Sequence, residues 1–302
     1  QGLDGLPGQI KVDPVIEDPG SQAMADEPGR HGVEGLAQHE AARQAYGASA
    51  SILAMAGAQA AIQLLPRLAP RGRARVLAPT YNEYVAALSV AGWDVAEVPT
   101  LDALAGADLA VVVNPNNPDG RRQDKAELLA LLARVGRLVI DESFADATPE
   151  LSLAAETGQP GLLILRSFGK FYGLAGVRLG FIVTGRAIGS ELAALMSEWP
   201  VSGPAIAIGR QALSNRDWAD EQRVRLADAA LRLNALLQSN GLTIEGGTSL
   251  FTLAAHDNAT GVFERLAMRG ILVRPMANPR LLRFGIPGCD SDFARLQAAI
   301  SS

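Results

Sequence analysis

The sequence predicts an α/β protein: a large domain with a mostly parallel sheet flanked by helices, plus a smaller α+β domain. Three observations predict it. Apolar strand-like runs alternate with helix-like stretches from about residue 51 to residue 183, the pattern of repeated βαβ units. The runs at 109–113, 138–140 and 162–165 are apolar without interruption, as strands buried on both faces should be. After Gly185 the alternation gives way to two helical stretches and then short strand candidates. The 302 residues suffice for two domains.

Residues 1–30 are rich in Gly, Pro and Asp and hold no sustained period, which reads as an extended arm or loop. A short helix is expected at 34–46, with Leu36, Ala41 and Ala45 inward. A strand at 51–55 leads through Gly57-Ala58-Gln59 into a helix that Pro66 stops. Such a strand–Gly–helix junction offers backbone N–H groups and a positive dipole end to an anion, although three residues also make an ordinary tight turn. A strand at 75–78 precedes Pro79-Thr80-Tyr81-Asn82-Glu83-Tyr84, a helix to Ala91 closed by Gly92, and a strand at 94–98. The run 109–113 enters Asn114-Pro115-Asn116-Asn117-Pro118-Asp119-Gly120, whose composition is that of a turn. Asp124 and Glu127 form a capping-box pattern for a helix carrying Leu128, Leu129, Leu131 and Leu132 and ended by Gly136. The strand at 138–140 brings Asp141-Glu142 to its carboxyl end.

The runs 162–165 and 181–183 flank a glycine-dense stretch, residues 167–180. Helices are expected at 187–198 and 219–239, the second with Leu226, Ala230, Leu233 and Leu237 at helical spacing and Asn240-Gly241 as its stop. Strand candidates follow at 242–245, 250–254, 271–274 and 281–286, with one helix at 260–269. The expected division is an N-terminal arm and part of the small domain (1–47), a large domain (48–205) and a small C-terminal domain (206–302).

Composition excludes some classes. The 27 basic and 32 acidic residues give a net charge of −5, which argues against nucleic acid as the main partner. No apolar run approaches the roughly 18 residues that span a bilayer. Cys289 is the only cysteine, so no internal disulfide is possible, which suits a cytoplasmic protein. His31, His39 and His256 lack metal-ligand spacing, so no metal site is expected.

Ligand sites in parallel sheets lie beyond the carboxyl ends of the strands. Gly57, Tyr81, Asn117, Asp141 and the segment 167–170 all fall at such ends. Glycines let backbone approach a ligand closely, and a lysine held there can act as an amine nucleophile. Ser-x-x-Lys alone also fits a surface loop with a solvated lysine. The longer pattern, Ser167-x-x-Lys170 with Arg178 eight residues on, is more specific. It resembles the Schiff-base segment of the fold-type-I pyridoxal-phosphate enzymes, the aspartate-aminotransferase-like family, and the likeness runs from about residue 48 to 290.

The resemblance implies pyridoxal 5'-phosphate as cofactor and a homodimer. It matches Lys170 to the Schiff-base lysine, Asp141 to the partner of the pyridine nitrogen, Tyr81 to the stacking aromatic and Asn117 to the donor to the phenolic oxygen. Ser167, Arg178, Ala58 and Gln59 match the phosphate cup. In Leu281-Leu282-Arg283-Phe284-Gly285, Arg283 matches the arginine that forks onto the substrate carboxylate, and Arg274 matches a second arginine of relatives with phosphorylated substrates. Each residue has a plainer reading: Asp141 as a cap, Asn117 as a turn residue, Tyr81 as core, the two arginines as exposed strand residues.

The segment 166–176 and Asp141-Glu142-Ser143-Phe144 look like those of the cobalamin-pathway threonine-phosphate decarboxylases. Many aminotransferases have a tyrosine at the place of Phe144, which cannot donate. This resemblance implies decarboxylation of a small phosphorylated amino acid, threonine O-phosphate, to aminopropanol phosphate. The alternative is a histidinol-phosphate-type aminotransferase, and a more distant one is a cofactor-binding regulator, for which no DNA-binding module is present. Residues 1–30 and Arg30-His31-Gly32-Val33 do not match the family's substrate-closing and dimer-crossing segments.

Overall fold

The computed structural model describes residues 33–301. The expected N-terminal arm and the segment 30–32 lie outside them. Helix α1 (Val33–Tyr46) is followed by β1 (Ser51–Met55), α2 (Ala58–Leu64), β2 (Arg73–Leu77), α3 (Glu83–Val90), β3 (Asp94–Val98), β4 (Leu109–Val113), α4 (Lys125–Leu132) and β5 (Arg137–Asp141). Then come β6 (Leu162–Ser167), β7 (Gly180–Thr184), α5 (Arg186–Leu195), α6 (Gly203–Ser214) and α7 (Arg216–Ser239). The chain closes with β8 (Thr243–Thr248), β9 (Phe251–Ala255), α8 (Ala259–Met268), β10 (Arg274–Pro275), β11 (Leu281–Gly285) and α9 (Asp290–Ile300).

Seven strands form one sheet in the order β1-β7-β6-β5-β4-β2-β3. Only β7 runs against its neighbours; the rest share one direction. The uninterrupted apolar runs sit at its centre because both faces are covered. Along β4, Ala110 and Val112 join a core with α1, α4 and α6. Leu109, Val111 and Val113 join the opposite core with α2, α3 and α5. This is the period-two alternation of a strand with two dry faces. The second sheet is antiparallel, in the order β10-β11-β9-β8. Its core takes Leu233 and Leu237 from α7, Leu266 from α8 and Phe293 and Leu296 from α9.

Several local expectations change. Ala41 is buried as expected, but Ala45 is exposed, and Ala42 and Tyr46 take the inward positions. Leu36 lies among the residues whose side chains are not described. Helix α6 was not expected, because Gly203-Pro204 resembles a linker. Pro is tolerated in a helix's first turn, and the Ser202 hydroxyl caps it by accepting from the Ala205 amide. Helix α9 was likewise missed. The strand expected at 271–274 shrinks to Arg274–Pro275. Both α1 and the start of α6 pack on the large sheet, through Ala41, Ala42, Ala205 and Ile206. No helix of the described residues is long and apolar enough to cross a membrane.

Candidate active site

The shared direction of six strands brings their carboxyl ends to one edge. β1 delivers Gly57, Ala58 and Gln59 just beyond its end, β2 delivers Tyr81, β4 delivers Asn117, β5 ends on Asp141 and β6 ends on Ser167. The reversed strand β7 starts at the same edge, since Gly180 pairs with both Met55 and Ser167. Arg178 lies two residues before it. The small sheet closes over this edge where the turn after β4 meets β8: a Cβ on Gly120 would collide with the Gly247 backbone, and one on Gly246 with the carbonyl of Asp119.

All ten residues singled out from the sequence line one cavity of about 260 Å3: Ala58, Gln59, Tyr81, Asn117, Asp141, Ser167, Lys170, Arg178, Arg274 and Arg283. Its lining holds four cations, Lys170, Arg178, Arg274 and Arg283, against the single carboxylate of Asp141. None of the four forms an ion pair among the described residues. The cavity is therefore built for a ligand set with several negative charges.

Asp141 is 3% exposed. One carboxylate oxygen accepts from Tyr84 Oη at 2.7 Å. The other accepts from the Ser143 amide at 2.9 Å and from Ser143 Oγ at 2.5 Å. These donors fix the orientation of the carboxylate. Burial, with the adjacent Asp141 charge, raises the pKa of Tyr84, so its hydroxyl stays a donor.

The Lys170 ammonium lies 5.9 Å from the centre of the Phe144 ring, and Phe144 meets Phe251 edge-on at 5.0 Å. Burial lowers the pKa of Lys170; the charges of Arg283, Arg178 and Arg274 lower it further, and Asp141 opposes them. Arg274 and Arg283 are direct partners across β10 and β11. Arg283 lies over the Phe251 ring at 5.1 Å and donates to Asn117 Oδ1. Burial and then Arg274 lower its pKa as well. The ring of Tyr81 forms a half-buried wall, and its hydroxyl reaches Gln59 Oε1 at 3.4 Å. Gln59 donates to Glu83 at 2.7 Å.

The remaining wall is shaped by backbone. Gly57 has φ 81° and ψ 160°, a region open essentially to glycine alone. A Cβ there would stand 2.9 Å from Arg178 Nη2, so the guanidinium lies directly on the glycine. Arg178 itself is left-handed, with φ 56°, the one non-glycine residue with positive φ among the described residues.

Pyridoxal phosphate fits this donor set: an amine whose charged form is disfavoured, a buried fixed carboxylate, an aromatic wall, an amide, and a guanidinium on a glycine cradle beside Ser167. No pattern in the sequence marks a role for Tyr84 or Ser143 at this site. The Ser two residues after Asp141 was a legible sign of a local side-chain turn. The tyrosine was not, because its bond to Asp141 spans 57 positions.

The family model for aminotransferase class I and II matches residues 33–300. The threonine-phosphate decarboxylase of Pseudomonas aeruginosa is 44% identical over 271 residues, covering 86% of this chain and 81% of that protein. One from a Sinorhizobium species is 42% identical over 257 residues, covering 82% and 77%. The histidinol-phosphate aminotransferase of Symbiobacterium thermophilum is 34% identical over 221 residues, covering 70% and 60%. Among solved structures, the histidinol-phosphate aminotransferase of Sinorhizobium meliloti in complex with pyridoxal-5'-phosphate superposes with a TM-score of 0.80 at 22% identity, covering 93% of this chain and 84% of that one. The L-threonine-O-3-phosphate decarboxylase of Porphyromonas gingivalis superposes with a TM-score of 0.73 at 23% identity, covering 88% and 87%. Both confirm the fold.

Proposed function

The chain belongs to the class I and II aminotransferase family, and we propose that it decarboxylates L-threonine O-3-phosphate to aminopropanol phosphate with pyridoxal 5'-phosphate. The observation that carries the substrate class is the pairing of Arg274 and Arg283 on neighbouring strands, facing the cavity that holds Lys170. Two guanidiniums beside one amine suit a molecule with two anionic ends and an amino group. Decarboxylation is favoured by the 44% and 42% identity with threonine-phosphate decarboxylases, against 34% with a histidinol-phosphate aminotransferase.

When bound, pyridoxal phosphate supplies a protonated ring that takes up the electron pair released at the substrate α-carbon. The protein's part follows from its residues. Lys170 would hold the cofactor through its amine and, once released and protonated, would be the proton donor to the substrate α-carbon. Its lowered pKa favours the free amine for the first task and makes its ammonium a stronger acid for the second. Asp141 keeps the ring nitrogen protonated through a charge-assisted bond. Tyr81 offers the ring a flat apolar face. Asn117 serves the phenolic oxygen, the more so because Phe144 has no hydroxyl. Ser167, Arg178, Ala58 and Gln59 hold the cofactor phosphate. Arg283 forks onto the substrate carboxylate and Arg274 takes its phosphate. Together they would set the orientation of the substrate carboxylate in the cavity. We further expect a two-fold homodimer in the cytoplasm, which light scattering on the active protein checks.

The test supplies carboxyl-labelled threonine O-phosphate in one reaction and histidinol phosphate with 2-oxoglutarate in another. Labelled CO2 from the first and no glutamate from the second is the expected result. The reverse pattern replaces the decarboxylase with an aminotransferase.

A further inference from the structure

β5 and β6 carry Asp141 and the lysine loop at their ends. The register of this parallel pair runs out at Asp141 opposite Leu165, and the Glu142 amide adds a last bond to the Leu165 carbonyl at 2.9 Å. Beyond that point side chains take over. Arg166 Nη1 donates to Glu142 Oε2 at 2.6 Å, and Nη2 donates to Asp146 Oδ1 at 2.6 Å. All three side chains are at most 4% exposed. Glu142 also accepts from Ser152 Oγ at 2.5 Å and from the Leu153 amide at 2.7 Å. The Asp146 carbonyl accepts from Arg223 Nε at 2.9 Å, and Arg223 lies over the ring of Phe171, the neighbour of Lys170, at 5.5 Å. The Arg166 guanidinium faces the Tyr46 ring at 4.3 Å.

None of Glu142, Asp146 and Arg166 lines the cavity. Stability is a weak reason for such a group. Burying three charges is costly, and well-packed apolar residues often serve as well. Asp146 Oδ2 and Arg166 Nε even remain buried without a hydrogen-bond partner. What the group does accomplish is geometric. A planar fork next to Ser167 grips two carboxylates of the segment that begins at Asp141. We propose that Arg166 is a positioning residue that locks the end of β5 to the end of β6 and so sets Asp141 relative to Lys170. A lysine has one ammonium point charge and cannot reproduce the two-pronged grip.

The inference rests on the cofactor reading above but not on the choice between decarboxylase and aminotransferase. The holoenzyme is compared with Arg166→Lys and with a charge-free triple variant, Arg166→Met with Glu142→Gln and Asp146→Asn. Three quantities are followed: the pH midpoint of the visible band of the Lys170-bound cofactor, kcat against KM for threonine O-phosphate, and Tm. In both variants kcat falls by about 100-fold, the scale of a misplacement near 1 Å. KM stays close to the parent value and the absorbance midpoint moves, while the triple variant still melts cooperatively. An unchanged midpoint and kcat in the triple variant overturns the positioning role, as does a kcat loss that disappears below the melting range. A parent protein with no visible band after reconstitution overturns the cofactor reading and this inference with it.

Discussion

Asp141→Asn separates the charge of the carboxylate from its shape. The side chain is 3% exposed and takes three hydrogen bonds, from Tyr84 Oη and from the amide and hydroxyl of Ser143. Hydrogen bonds to a charged group contribute roughly 1.5–3 kcal/mol each, so Asp141→Ala orphans three donors and lowers Tm along with activity. Asparagine avoids most of that cost. Its oxygen keeps the Ser143 donors, and the Tyr84 hydroxyl can rotate to accept from the new amide. What asparagine removes is the negative charge that, in the role proposed for Asp141, holds a proton on the cofactor's ring nitrogen. Preorganised groups of this kind contribute roughly 3–4 kcal/mol to the transition state, a factor of about 10²–10³ in kcat. The assay is labelled CO2 release under saturating threonine O-phosphate, with melting followed by circular dichroism. A large fall in kcat with a Tm near the parent's is expected. An Asn variant within tenfold of the parent kcat would refute the electrostatic role and reduce Asp141 to a structural acceptor.

Gly57→Ala forces a Cβ to within 2.9 Å of Arg178 Nη2 at a φ of 81°; the backbone strain alone costs about 1–3 kcal/mol. Cofactor affinity, measured by fluorescence titration, should drop while the aromatic wall is untouched, and unchanged affinity would place the phosphate elsewhere. Arg283→Lys loses the fork and the ring contact with Phe251; KM for threonine O-phosphate should rise by about 10–100-fold, the worth of one or two charge-assisted bonds, and an unaltered KM would remove Arg283 from the substrate. Burial and three guanidiniums penalise the charged form of Lys170, so its proton leaves earlier as pH rises. Competitive acylation of the apoprotein should show Lys170 becoming reactive with a midpoint below the ordinary 10.5, and Arg283→Met should move that midpoint upward. A midpoint at or above 10.5 would contradict it.

Much of the polar edge of the large sheet was readable in the sequence because of one physical fact. A parallel strand must bury both faces, so its apolar run ends sharply where the chain reaches the sheet edge, and the polar residues that follow are marked as edge residues. That marked Asp141 after 138–140, Asn117 after 109–113 and the Lys170 loop after 162–165. The missed helices fail the same test. α6 opens with Gly203-Pro204, and its inward residues Ala205, Ile206 and Leu213 become meaningful only against α1 and the large sheet. Ala45 was placed inward by spacing alone, and the structure gives that place to Ala42 and Tyr46, which find the core.

The sequence by itself determined the strand order along the chain, the glycines that let backbone crowd the cavity, and the residue types gathered at the carboxyl edge. Local sterics and burial set these, and both are written in short stretches. Only the tertiary structure decided who meets whom. Asn117 accepts from Arg283 across 166 positions, Tyr84 reaches Asp141 across 57, and Arg166 joins Glu142 across 24. No periodicity encodes such pairs. They arise because sheet packing places distant segments within a few ångströms, and a buried polar group in that setting must take whichever partner the fold supplies.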